Sequence, residues 1–340
     1  MLYGLDIGGT KMELSIFDTQ LNLQQSWRVA TPHSNYADFL ATVRKQVQMA
    51  DDFLRQHSSY QQQSWEFNQT LVDRWLHNNL QTHQNPWVDF NKVTPFGVGL
   101  TGVQSVDGIL NSSNLPYLNQ RAVQHDLQQL LQRPVTLGND CRLFTLAEAN
   151  VGIAKGYARV LGVMIGTGIA GGFCLNGQLL SGPQGLAGEL GHQPVAARII
   201  AKYQLPLWRC GCGLLGCNES YISGSGLGRL YYFFGGAEAC SLRWYQSFQF
   251  KEAAALKAFA CFQDALASVL ASQVLAFEPE IIVIGGGLTG MSELSTNLLA
   301  ALRPHLFAGV NIPRIEFSRL GATSVCKGAA IAAFAELTHG

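Results

Sequence analysis

LYGLDIGGTKMELSIF, residues 2–17, sets a glycine turn between two apolar runs, and the residues after the turn decide the fold. Beyond Gly8, Gly9 and Thr10, the residues Met12, Leu14 and Ile16 alternate with Lys11, Glu13 and Ser15. A period of two predicts a strand. Walker and dinucleotide-binding glycine loops must open a helix, so both are excluded. Residues 161–180, LGVMIGTGIAGGFCLNGQLL, repeat the pattern around Gly166, Thr167 and Gly168. Two strand–turn–strand units half a chain apart predict a duplicated architecture. Their backbone N–H groups suit a phosphate chain held between the two turns.

A third glycine turn ends PEIIVIGGGLTG, residues 279–290. The pattern predicts a buried strand, and such strand ends are where α/β proteins place nucleotides. An amphipathic helix is predicted before it over 252–277, with Leu256, Phe259, Phe262, Leu266 and Val269 on one face and Pro279 as its stop.

The 340 residues exceed what one core usually serves, so two lobes are expected. With 14% charged residues and zero formal net charge, the composition argues against binding driven by neutralising nucleic-acid phosphates. MLYGLDIGG lacks the charged and apolar regions of a secretory signal, and no apolar stretch reads as long enough to cross a bilayer. A cytoplasmic location with no membrane partner is expected. Residues 51–92 are rich in Gln, Asn, His and Trp and read as an inserted helical excursion.

RCGCGLLGCNES, residues 209–220, holds Cys210, Cys212 and Cys217. In a reducing compartment, clustered thiols point to metal rather than to disulfides. His192 of GELGH, 188–192, completes three thiolates and an imidazole, the ligands of a closed structural zinc site. In TLGNDCRLFTLAEA, 136–149, a strand ends at Gly138 and a helix starts near Cys141. Asp140 at the junction fits a helix N-cap or a general base for a hydroxyl attacking phosphorus, and the two roles are compatible. Asn114, in NSSNLP, fits a turn or a polyol ligand. Glu189 and Glu219 read as sugar-hydroxyl acceptors if one metal fixes both segments. Asp6 lies between apolar strand residues, an expensive place for a carboxylate unless magnesium or water meets it.

Taken in order, LDIGGTK, GLTG, GND, IGTGIAGG, GELGH, CGCGLLGCNE and VIGGGL resemble the ROK family of sugar kinases within the actin-like ATPase superfamily. The resemblance implies an α/β, two-lobed fold of ribonuclease-H type. Residues 1–115 plus 322–340 would form the small lobe and 116–321 the large one, with ATP and sugar meeting in the cleft. It implies Asp140 as catalytic base. Asn114, Asn139, Asp140, Glu189, His192 and Glu219 would bind sugar. Gly8, Gly9, Thr10, Lys11, Gly166, Thr167 and Gly168 would hold the ATP phosphates over Asp6, and Gly285, Gly286 and Gly287 would approach the adenosine. Magnesium would be catalytic and zinc structural, on His192, Cys210, Cys212 and Cys217. LPLWRCGCG and NSSNLP point within the family to phosphorylation of N-acetyl-D-glucosamine at its 6-hydroxyl, with a fructokinase, glucokinase or N-acetylmannosamine kinase as alternatives. A homodimer is expected. A sugar-sensing repressor is disfavoured because DIGGT starts at residue 6, and the retained GND argues against a non-catalytic sugar binder. The family's G-[IV]-P-G turn is GLTG here, with Thr101 in place of proline.

Overall fold

The computed structural model describes residues 1–57, 94–105, 107–112 and 114–339. In chain order it forms β1 (Leu2–Ile7), β2 (Lys11–Phe17), β3 (Leu23–Ala30), α1 (Tyr36–Gln56), β4 (Phe96–Leu100), β5 (Val103–Gln104), β6 (Leu110–Asn111), α2 (Val123–Leu131), β7 (Val135–Asn139) and α3 (Asp140–Val151). Next come β8 (Arg159–Ile165), β9 (Ile169–Leu175), β10 (Gln178–Leu179), α4 (Ala197–Tyr203), α5 (Gly224–Phe233), α6 (Ser241–Gln249), α7 (Ala253–Phe277), β11 (Ile281–Gly285), α8 (Ser292–Leu302), β12 (Arg314–Phe317) and α9 (Ser324–His339).

The chain divides into two units. One holds Met1–Ala147, Ser181–Leu186 and Leu320–Gly340, and the other Glu148–Leu180 and Ala187–Arg319. Residues 116–147, expected in the second lobe, fall in the first because β7 is hydrogen-bonded to β4. The first sheet has the order β3-β2-β1-β4-β7 and the second β10-β9-β8-β11-β12. In each, the first three strands are antiparallel neighbours and the last two run parallel to the third. The duplication read from the two glycine turns is thus present in the topology.

In the first unit, Tyr3, Leu5 and Ile7 join Met12, Leu14 and Ile16 in a core closed by Phe39, Val43 and Val47 of α1 and Val123 and Leu127 of α2. The opposite face of β1 and β2 carries Leu2 and Phe17 against Cys326 and Ala330 of α9. That face is also buried, so Glu13 is 5% exposed and Ser15 is fully covered. Polar residues alternating along β2 therefore mark a second packed face. The Arg28 guanidinium meets the Glu13 carboxylate at 2.7 and 3.0 Å, which offsets the cost of burying its charge. Contact between α9 and the sheet is close enough to require glycine. A Cβ on Gly4 would lie 1.9 Å from the Cys326 carbonyl oxygen, and one on Gly97 1.9 Å from that of Ala329.

The 252–277 helix forms as α7, but its burial differs from the expected single face. Phe259, Phe262, Leu266 and Val269 are buried, whereas Leu256 is 43% exposed. From Ala265 to Ala271 every residue is buried, because α5, α6 and α8 surround it. The sequence reads as having no segment able to cross a bilayer. The 25 residues of α7 are long and apolar enough, yet 78% of the relevant window lies inside this core. Glu278, in the left-handed region, ends the helix one residue before Pro279. The expected excursion at 51–92 begins inside α1, and residues 58–92 lie outside the described residues.

Candidate active site and metal cluster

Strands β1, β4 and β7 are parallel, with Ile7 beside Leu100 and Leu100 beside Asn139. The next residues, Gly8, Thr101 and Asp140, therefore emerge abreast at the carboxyl ends of three strands, where open α/β sheets bind ligands. Asn139 caps α3. Its Oδ1 accepts the N–H groups of Cys141 at 3.0 Å and Arg142 at 3.3 Å. The cap expected at Asp140 thus belongs to its neighbour, and Asp140 occupies the first helical position. Its Oδ1 accepts the Cys141 N–H at 2.9 Å. Burial pushes the Asp140 carboxyl above its ordinary range, opposed by that N–H. The Asn139 amide also donates to the Gly102 carbonyl at 3.2 Å, tying the β4 and β7 ends together.

The first glycine turn closes on itself, Gly8 N–H donating to the Lys11 carbonyl at 2.9 Å, and the Thr31 hydroxyl binds the Gly8 carbonyl at 2.7 Å. Thr10 is exposed at its tip. Asn114 comes to this turn, since a Cβ on Gly9 would lie 3.9 Å from its Cβ. Lys11 Nζ reaches Glu13 at 3.3 Å. Asp6 is opposite Glu13 across the β1–β2 ladder. Burial raises its carboxyl to about 7, with the Asp140 charge adding and Lys11 opposing. Asp6 and Asp140 are thus two desolvated carboxylates near enough for the charge of one to act on the other, and carboxylate oxygens are ligands that a hard divalent cation takes.

The sign of the Asp6 shift has a consequence for stability. Its folded value near 7 lies above the ordinary 3.8. Proton binding therefore favours the folded state fully below about pH 4, and that contribution is lost as pH rises through 7. Without added magnesium or nucleotide, Asp6→Asn should raise Tm by roughly a few degrees at pH 8. The gain should vanish by pH 4. Equal melting at both pH values would contradict the shift.

In the second unit, Gly166 N–H donates to the Gly168 carbonyl at 2.9 Å, shaping the second turn. Glu219 Oε2 accepts the Ile169 N–H at 3.3 Å, so Glu219 is held on this turn. The Gly224 N–H and Ser225 hydroxyl bind the Gly166 and Thr167 carbonyls at 2.8 and 2.9 Å. The amino end of α5, capped by Ser223, therefore abuts the turn. Sequence reasoning misses this contribution, and the signal for it is SGSGLG after Glu219, a serine cap opening a glycine-rich helix. At the third turn, Gly286 has φ +94°, and a Cβ there would meet the Ile165 carbonyl at 2.5 Å. Only glycine fits. Gly285 ends β11 and Gly287 faces open space.

His192, Cys210, Cys212 and Cys217 bring one ligand atom each within 4.8 Å of one another. Cys210 Sγ is 3.7 Å from His192 Nδ1, and Cys212 Sγ is 3.6 Å from Cys217 Sγ. A tetrahedral zinc with sulfur at about 2.3 Å places its sulfurs roughly 3.8 Å apart, so the cluster fits that ion. Burial raises the Cys210 thiol, and raises Cys217 to about 12. Burial also opposes ionisation of Cys212, but the Leu214 N–H and the adjacent thiols hold it below its ordinary value. His192 Nε2 lies 4.0 Å from Glu189, and Cys210 Sγ lies 3.9 Å from Glu219 Oε1. Both glutamates read as sugar ligands thus stand beside the cluster. Backbone bonds also join the segments, Val195 N–H to the Gly216 carbonyl at 2.8 Å and Asn218 N–H to that of Gln193 at 2.9 Å.

The sequence profile of the ROK family matches residues 54–336. The chain is 45% identical to the N-acetylgalactosamine kinase AgaK of a Shewanella species, covering 97% of this chain and 96% of that one. It is 34% identical to the N-acetyl-D-glucosamine kinase of Pectobacterium atrosepticum, covering 97% and 98%. A solved ROK hexokinase from Thermus thermophilus superposes with a TM-score of 0.75 at 28% identity, covering 100% and 99%. Matches of this extent, over a fold whose two sheets repeat one topology, lead to one conclusion: this chain is a member of the ROK family.

Proposed function

We propose that the chain is an ATP-dependent kinase of N-acetylated aminosugars, passing the γ-phosphoryl group to the 6-hydroxyl. The observation that carries this reading is Asp140, a desolvated carboxylate at the first turn of α3, abreast of the Gly8 turn. The names of the 45% and 34% identical relatives support the substrate class.

ATP supplies the phosphoryl group, and magnesium neutralises charge on the phosphates when bound. By the family resemblance, Gly8, Gly9, Thr10, Lys11, Gly166, Thr167 and Gly168 would hold the phosphates. Gly285, Gly286 and Gly287 would lie along the adenosine. The Asp140 carboxylate accepts the proton of the sugar hydroxyl as its oxygen attacks. Asn139 keeps that carboxylate oriented by capping α3. Asn114, Asn139, Glu189, His192 and Glu219 would hold the remaining sugar groups, so that most of the acceleration comes from positioning. Zinc on His192, Cys210, Cys212 and Cys217 would fix the loop that carries Glu219. A homodimer, on family resemblance, and a cytoplasmic location, on the sequence pattern, complete the reading.

The sequence points to N-acetyl-D-glucosamine, and the 45% relative is named for its C4 epimer, N-acetylgalactosamine. A coupled ADP-release assay should therefore compare both with N-acetylmannosamine, glucose, mannose and fructose. The expected outcome is a kcat/KM for an acetylated aminosugar more than about tenfold above glucose and fructose, about 1.4 kcal/mol in transition-state binding. A tenfold preference for glucose or fructose would overturn the substrate class.

A further inference from the structure

We propose that Thr101 is a sugar-specificity residue, its hydroxyl hydrogen-bonding a polar group of the bound sugar. The inference rests on the kinase reading and deepens it. Thr101 is the first residue past β4, and β4 lies between β1 and β7. The strand register sets it between Gly8 on one side and Asp140 on the other. Adjacent strands are about 4.8 Å apart, so its side chain stands within one sugar ring of the carboxylate that takes the proton. The following residue holds the turn in place. Gly102 has φ +131°, a Cβ there would lie 2.6 Å from the Asn111 carbonyl oxygen, and its own carbonyl is held by Asn139.

The Thr101 hydroxyl has hydrogen-bonding capacity to spare. The Thr101 Oγ1 lies 3.4 Å from Ser112 Oγ. Ser112 is 3% exposed, and its oxygen already accepts the Leu115 N–H at 3.3 Å. A buried hydroxyl needs partners, and Thr101 is one of them. Either hydroxyl can donate in this contact, and in both cases the one proton and two lone pairs of Thr101 leave it capacity for a further partner. Thr101 is only partly buried, so a ligand oxygen has access to it. A sugar hydroxyl or the carbonyl of an acetamido group has the required chemistry. A site built to bond such a group rejects sugars that misplace it, because its own polar atom is then left unpaired.

The test compares Thr101→Val, which keeps the shape and removes the hydroxyl, with Thr101→Ser, which keeps the hydroxyl. Kinetics are measured on the sugar that the wild type phosphorylates fastest and on its epimers. Thr101→Val should lower kcat/KM for the best sugar about tenfold and shift its ratio to the C4 epimer by at least about fivefold. The KM for ATP should stay within about twofold and Thr101→Ser within about threefold of wild type. An unchanged epimer ratio in Thr101→Val, or an equal loss on every sugar shared by Thr101→Ser, would overturn the proposal. If the best sugar is not an acetylated aminosugar, the substrate reading fails, and the same ratios still decide the role of Thr101.

Discussion

Asp140→Asn is expected to lower kcat by about three orders of magnitude, within the range that a positioned general base contributes. The substitution is nearly isosteric. Its side-chain oxygen can still accept the Cys141 N–H that Asp140 Oδ1 accepts at 2.9 Å, and Asn139 still caps α3. The fold should therefore survive, with Tm at or above that of the wild type, since a desolvated carboxyl is replaced by a neutral amide. What is lost is the capacity to take a proton. The sugar KM should change by less than about fivefold, because an amide can still bond the hydroxyl. In the wild type, kcat/KM should rise with pH through a value above the ordinary carboxylate range. The Asp140 charge adds to burial in raising the Asp6 carboxyl, so the charge on Asp140 bears on the proton held by Asp6. A variant with kcat within tenfold of wild type in folded protein would remove Asp140 from the chemistry.

Much of this site is legible in the sequence because it depends on local grammar. A glycine turn set between two strand-like apolar runs marks β1–β2 and β8–β9. The cysteine spacing is legible for the same reason, since C-x-C-x4-C with glycines between can wrap one ion. What escapes is set by packing between distant segments. Glu13 reads only as a polar residue alternating along β2, and nothing near it in sequence shows that α9, more than three hundred positions later, packs on that face or that Arg28 neutralises it. Leu256 reads as core by helical phase, but it sits in the first turn of α7, where the described residues leave it exposed. The division after Ala147 is hidden because a parallel pairing such as β4–β7 leaves no mark in either strand. Asn139, not Asp140, caps α3 because one polar residue follows another at the junction, and sequence alone does not rank adjacent candidates.

Loss of the metal from the cysteine cluster is expected to be the second largest effect, and Cys212→Ser is the variant that isolates it. Cys210 and Cys217 are buried, so a hydroxyl at either would be an unpaired polar group in the core, whereas Cys212 is exposed. Serine at 212 removes one ligand and little else. Purified wild type should contain about one zinc per chain, and Cys212→Ser well under half of that. A metal whose Kd lies about a thousandfold below its ambient concentration stabilises by roughly 4 kcal/mol, so Tm should fall by about 10 °C. The backbone bonds of Val195 and Asn218 remain, which predicts where the loosening occurs. Hydrogen exchange should accelerate in 209–215, where Gly211 through Leu215 are exposed, and much less at Cys217 and Asn218, which are buried. The effect on activity runs through Glu219. One of its carboxylate oxygens is tied to the Ile169 N–H and the other faces Cys210, so a cluster without its ion frees the side chain that also contacts the second glycine turn. The expected loss in kcat/KM is about 10–100-fold, as for the supporting residues of other metal sites. It should appear mainly in the sugar KM, with the Asp140 pH profile unmoved. Wild-type protein free of zinc and equal in Tm and kcat/KM to Cys212→Ser would show that four aligned ligands here hold no ion, and that the backbone alone positions Glu219.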